Sequence, residues 1–269
     1  MIAQFAWRLI CGMSLMWALM PRQQVTSGFF RIQMLVVMGL GVLAAMTFFS
    51  SGFDSDLLSQ QSAAILSGVV AFAGFLGSAF WTLERRTGGE RIGLVVLAMS
   101  MVLVVLTTPP IAWAPIVWPW TKWLIPLSNV VGASVLGGTM VGMLLGHWYL
   151  TTPTMSIEPL KRVNLLLGIA GLSRLIASTV TVLFFWADKL SAAKVGSELP
   201  EFMAVPHAWL FLRWLAGVVG PIVVSLMVWR ILKYRNTQAA TGVLFVGVIL
   251  SFIGDMTAAL LLQETKLPF

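Results

Sequence analysis

Six residues of this chain have side chains that can do acid–base, ion-pair or ligand chemistry and yet fall inside or at the edge of long apolar stretches: Arg8, Arg174, Arg213, Asp255, His147 and His207. A charge near the centre of a hydrocarbon core costs at least about 2.5–3.5 kcal/mol, so it persists where it is paired or used. At 1.5 Å per residue, Arg213 and Asp255 each lie about 9–11 Å inside the same boundary of the last two stretches, and Arg8 about 7 Å inside it. That matched depth predicts an Arg213–Asp255 ion pair, with Arg8 in reach of the same carboxylate. His207 opens the seventh stretch just above them. Arg174 falls near mid-depth of its own stretch, too deep to extend its head to the surface. One reading is a polar pocket built from Arg8, His207, Arg213 and Asp255 with Arg174 at its floor, able to hold a quinone headgroup, an anion or a translocated proton. The other is a structural Arg–Asp pair, with Arg8 and His207 extending to the headgroups. Both stay open on the sequence.

His147 belongs elsewhere. It sits in Gly146-His147-Trp148-Tyr149-Leu150, at the far end of a stretch carrying Ser134, Gly138, Gly142 and Gly146 at four-residue spacing. Such a small-residue stripe predicts close helix packing. His147 is therefore expected just past a tight contact, as a haem ligand, a proton group or an interfacial hydrogen-bonding residue. His147 and His207 fall on opposite sides of the membrane, so bis-histidine haem ligation within the chain is excluded, while His–Met ligation stays open with 15 methionines. There is no Cys/His metal spacing, paired-carboxylate arrangement, phosphate loop or nucleophile elbow in the sequence. No catalytic residue is assigned. Gly88-Gly89 reads as a turn.

The elements that must position these groups follow from composition. Hydrophobic residues make up 58% of 269 positions, charged residues 10%, and mean hydropathy is +0.91. A soluble domain carries roughly 25% charged residues; the natural solvent of this chain is the lipid bilayer. Stretches of about 20 apolar residues, enough for a core of roughly 30 Å, occur at about 3–20, 30–50, 61–83, 92–112, 123–149, 161–187, 207–231 and 237–262. Barrel-type alternation is absent. An all-α bundle of about eight transmembrane helices is predicted, as one domain over residues 1–269, without a soluble domain or a convincing internal repeat. The single cysteine, Cys11, reads as a packing residue. Residues 1–20 lack a basic leader and a small-residue cleavage site, and read as a retained first span.

Loop charge supplies an orientation. Arg22, Arg31, Arg85, Arg86, Arg91, Lys161, Arg162, Arg230, Lys233 and Arg235 fall on one side, ten in all, against Lys122, Lys189, Lys194 and Lys266 on the other. Basic loops stay in the cytoplasm, so both termini are expected outside, in a cell membrane of the bacterial inner-membrane kind. The net charge of +7 then reports topology, and no basic run points to nucleic acid. Trp113, Trp118, Trp120, Trp123, Trp186 and Trp209 are expected at the outer boundary, and Trp148, Tyr149, Trp229 and Tyr234 at the inner one. Residues 109–122 read as an interfacial loop and 188–206 as a short amphipathic helix.

Eight spans, little extramembrane mass, and Gly254-Asp255-Met256 followed by Leu260-Leu261-Leu262 resemble the quinol-oxidising membrane anchors of the dimethyl-sulfoxide-reductase and polysulfide-reductase type. The chain has Asp255 where such anchors often carry a glutamate, and neither histidine matches their quinol-site histidine. The resemblance implies a haem-free membrane subunit that passes electrons to an attached iron–sulfur subunit, with a quinone near the outer pocket. A small-solute or proton-coupled transporter using Arg174 and Asp255 is a second expectation, for which inverted symmetry between residues 1–116 and 123–269 is the signature. A structural or assembly protein without chemistry is the third.

Overall fold

A computed structural model describes residues 2–50, 59–106, 124–152, 154–194 and 207–265, with only the backbone for 124–125, 184–194, 207 and 262–265. Every element among them is helical. The order is α1 (Ile2–Leu19), a 3-10 turn (Arg22–Gln24), α2 (Ser27–Ser50), α3 (Gln60–Thr82), α4 (Arg86–Leu106), α5 (Leu124–Thr151), α6 (Glu158–Lys194), α7 (His207–Trp214), a π-turn (Leu215–Val219), α8 (Gly220–Lys233) and α9 (Thr237–Thr265). With α7, the π-turn and α8 taken as one, these are eight helices long and apolar enough to cross a membrane, as in a multi-pass membrane protein. In lipid every backbone amide must find its partner inside the segment, which is why such apolar runs are helical.

Local signals set the ends. The Ser59 side chain caps α3 by accepting from the Ser62 amide, and Asn236 caps α9 by accepting from the Ala239 amide. The tight α3–α4 and α8–α9 connections each turn on one left-handed residue, Glu84 (φ 55°) and Arg235 (φ 53°). The expected turn at Gly88-Gly89 lies instead in the first turn of α4. Its glycines are there for packing: a Cβ on Gly88 would stand 2.4 Å from the Phe80 ring, and one on Gly89 2.6 Å from Trp81 Cε2.

Two rings of four spans result. In the first, α1 packs on α2, α2 on α3, α3 on α4, and α4 closes back on α1. In the second, α5 packs on α6, α6 on α8, α8 on α9, and α9 closes back on α5, with α7 also against α9. The rings meet mainly along their first helices, α1 and α5. The two rings thus share one order of neighbours.

The molecule is as apolar outside as inside. Met46, Phe49, Phe72, Ile176 and Phe211 are exposed, while Ser67, Ser100 and Thr139 are fully buried. Lipid offers no hydrophobic drive between helices, so close backbone approach and buried polar links hold the bundle. Asn164 Nδ2 donates to the Ser225 carbonyl and Ser225 Oγ donates back to the Asn164 carbonyl, both at 3.0 Å, joining α6 to α8. Thr139 and Ser251 hydroxyls meet at 2.9 Å, joining α5 to α9.

Other expectations are adjusted. Helix α6 continues to Lys194, so residues 188–194 extend it; 195–206 lie outside the described residues, as do 107–123 with Trp113, Trp118, Trp120 and Trp123. The Trp186 side chain is likewise outside them. Trp209, Trp229 and Tyr234 are exposed at 39%, 53% and 85%. Tyr149 is not: it is buried, and its hydroxyl donates to the Ser156 carbonyl, tying α5 to the loop before α6. Pro126 lies in the first turn of α5 and does not break it.

Candidate functional site

Arg8 and Asp255 come from the first and last helices and meet: Arg8 Nη1 donates to Asp255 Oδ1 at 2.8 Å, with side chains 12% and 6% exposed. Their contact puts the start of α1 and the end of α9 on one side of the bundle, here called the terminal side. Phe5 and Phe252, one turn away on each helix, meet edge-to-face at 4.9 Å and fix the same approach. The sequence put both Arg213 and Arg8 within reach of Asp255; in the structure its Oδ1 receives Arg8, and Arg213 is set by the backbone beside it.

That backbone is the π-turn. Pro221 has no N–H to give to the carbonyl four residues earlier, and its ring crowds that carbonyl. The helix widens, and the Gly220 amide bonds to the Leu215 carbonyl five residues back. Within the turn, Gly217 lies directly against α9: a Cβ on Gly254 would stand 2.2 Å from Gly217 Cα. Arg213 is one turn before Gly217, is buried, and lays its guanidinium over it, because a Cβ on Gly217 would stand 1.9 Å from Arg213 Nη1. Two glycines thus make room for a guanidinium and for the chain next to Asp255.

Arg174 is buried as well, and crosses from α6 to α5, where Nη1 donates to the Ser128 carbonyl (2.6 Å) and hydroxyl (2.5 Å). Its guanidinium also covers Gly132, whose Cβ would meet Nη1 at 3.4 Å. Ser128 is only about 6 Å from the start of α5. Through Ser128 the Arg174 head is tied to the end of α5 that lies on the terminal side. Its helix is long, and Arg174 lies about 24 Å along it from Glu158. Arg8, Arg213 and Asp255 all act electrostatically on Arg174, and Asp255 and Arg8 act on Arg213. Three guanidiniums and one carboxylate thus form one cluster, spread over α1, α6, α7 and α9. Asp255 Oδ2 is buried with no hydrogen-bond partner among the described residues.

The remaining expected residues fall apart from it. His207 opens α7 on the same side, and its side chain lies outside the described residues. His147 is exposed near the other end of α5, about 28 Å from Ser128, and takes no part in the cluster. Among the described residues no three His, Cys, Asp or Glu side chains gather as for a metal ion. Gly138, Gly142 and Gly146 pack as expected, against Leu167, Leu244 and Thr241 of α6 and α9, while the Ser134 hydroxyl bonds within its own helix to Val130. The tightest contact of α5 lies on its adjoining face, where Ala133 and Gly137 meet Gly12 of α1. Ser128, Gly132, Gly217 and Gly12 were missed as site and packing residues; the Gly217–Pro221 spacing was the available signal for the π-turn. No protein-family profile matches the chain, and no curated protein or solved structure is significantly similar to it.

Proposed function

We propose that the chain is a haem-free membrane subunit of a quinone-linked redox complex, with the quinone headgroup bound at the terminal-side cluster. One observation carries the reading: Asp255 is held by Arg8 through one oxygen and keeps the other, Oδ2, buried and unpartnered among the described residues. A carboxylate so placed accepts a hydrogen bond from a quinol hydroxyl and then its proton. The neighbouring guanidiniums supply donors for a quinone carbonyl and favour the oxyanion formed when the proton leaves. Quinol oxidation yields quinone, two protons and two electrons. Asp255 takes up protons one at a time, and the electrons pass to a partner subunit carrying an iron–sulfur or haem centre. The basic loops opposite the cluster support a location on the outer side of the cell membrane.

Titration of the purified chain with 2-heptyl-4-hydroxyquinoline N-oxide, a fluorescent quinol analogue, tests the site. Saturable quenching is expected, weakened about tenfold in Asp255→Asn and Arg8→Gln, the effect of one charge-assisted hydrogen bond. No saturable binding, or binding unchanged in both variants, overturns the reading. Copurification with a redox-centre subunit is expected from native membranes.

A further inference from the structure

The first ring holds a second polar site, on the opposite side from the Arg8–Asp255 cluster and on other residues. A cleft of about 280 Å³, counted to its open mouth, lies between α1, α2, α3 and α4. Its walls include Trp17, Trp81, Phe30, Met34 and Leu94, with Arg22 and Glu90 among its polar residues. Trp17 and Trp81 are 4% and 3% exposed, and both indole N–H groups lack a hydrogen-bond partner among the described residues. A buried polar group left without a partner costs about 1–3 kcal/mol. Both tryptophans line this one cleft. Phe30 stacks on Trp81 at 4.6 Å and fixes that ring, and Trp81 also packs on Gly89 of α4.

The mouth carries both signs. Arg22 Nη1 and Glu90 Oε2 stand 3.8 Å apart, with side chains 27% and 33% exposed. A simple anion would satisfy Arg22 and face Glu90; a simple cation would do the reverse. A group with a phosphate and an ammonium a few ångströms apart satisfies both. Leu94 both lines the cleft and is exposed, at 49%, on a helix long and apolar enough to cross a membrane. A ligand that enters from the side is one already in the bilayer.

We infer that this cleft is a binding site for a zwitterionic aminophospholipid headgroup. Phosphate oxygens accept from the Trp17 and Trp81 indoles and from Arg22, the ammonium donates to Glu90, and the acyl chains leave past Leu94.

Native mass spectrometry of the full chain released from mixed micelles, with dioleoyl-phosphatidylethanolamine and dioleoyl-phosphatidylglycerol at equal concentration, tests this. One phosphatidylethanolamine is expected to stay bound in preference. Trp17→Phe with Trp81→Phe keeps both rings and removes both donors, and should weaken retention about tenfold, the effect of two hydrogen bonds. Glu90→Gln, at a half-exposed position, should reduce the preference for ethanolamine over glycerol. Equal or greater retention of phosphatidylglycerol, retention of neither lipid, or retention and preference unchanged in both variants overturns the proposal. The analogue titration above uses none of these residues, so the two sites fail or stand separately.

Discussion

Gly12 of α1 lies so close to α5 that a methyl group on it would stand 1.7 Å from the Ala133 carbonyl oxygen. The reciprocal position is as tight: a Cβ on Gly137 would stand 1.9 Å from the Gly12 carbonyl carbon. The two rings therefore meet backbone to backbone, at the one place where α1 and α5 both lack side-chain bulk.

Gly12→Ala and Gly137→Ala should accordingly cost about 1–3 kcal/mol or more, since neither neighbour is a side chain that can swing away. Gly39→Ala and Gly242→Ala are the controls. A Cβ at either meets nothing within 4 Å, and helix propensity favours alanine there by up to about 1 kcal/mol. Unfolding in mixed detergent and dodecyl sulfate separates the pairs. Equal effects would contradict the close approach.

For the Arg8–Asp255 pair, removing one partner strands a buried charge. Asp255→Asn and Arg8→Gln are each expected to cost about 3–5 kcal/mol, and the double variant less than the sum. The same unfolding assay reads the cycle. Additive costs would mean that the two groups do not interact.

Gly217 and Gly254 should be as intolerant of alanine as Gly12, with an added effect on the site. Gly254→Ala presses its new methyl on Gly217 Cα, and Gly217→Ala displaces the Arg213 guanidinium. Both should weaken quinol-analogue binding about tenfold or more, because donors shifted by an ångström no longer meet their acceptor. Gly242→Ala should leave binding unchanged.

Ser128→Ala removes the hydroxyl acceptor of Arg174 and keeps the carbonyl, so a modest cost of about 0.5–1.5 kcal/mol is expected. Arg174→Ala should cost more, by leaving the Ser128 hydroxyl and a buried gap beside Gly132. A larger effect from Ser128→Ala than from Arg174→Ala would reverse this order.

Membrane sidedness is open to thiol labelling of whole cells. Ile2→Cys should react with an impermeant maleimide from outside, and Arg85→Cys only after the membrane is opened. Cys11, buried at 1%, should react in neither state of the folded protein and so serves as the internal control.

The eight spans were legible because lipid imposes one constraint on every residue of a span, and a window of 20 positions averages out local detail. Helix ends shifted where a single group decides them, as where Glu84 closes the α3–α4 turn and places Gly88 and Gly89 inside α4. Arg8, Arg213 and Asp255 were found because an intramembrane charge is visible in any sequence. Which of the two arginines makes the direct contact was not, since it depends on which helices are neighbours. Counting depth cannot choose between Arg8 and Arg213 as the partner of Asp255; the Gly217–Gly254 contact and the Phe5–Phe252 packing do. The small-residue stripe on α5 was correctly read as packing, but its tightest contact lies on the adjoining face at Ala133 and Gly137. A periodicity tells that a helix has a close face and leaves open which partner takes it.

The ion pair of Arg8 and Asp255 spans 247 residues of sequence, and that separation has a meaning in time. At 5–20 residues per second, the arginine is made about 12–50 seconds before its carboxylate. Until then the nascent first helix carries a lone cation into or beside the bilayer, where something other than Asp255 must shelter it. A chain truncated before α9 keeps that cation without its carboxylate, so the first helix reaches its final electrostatic state only when the last one arrives.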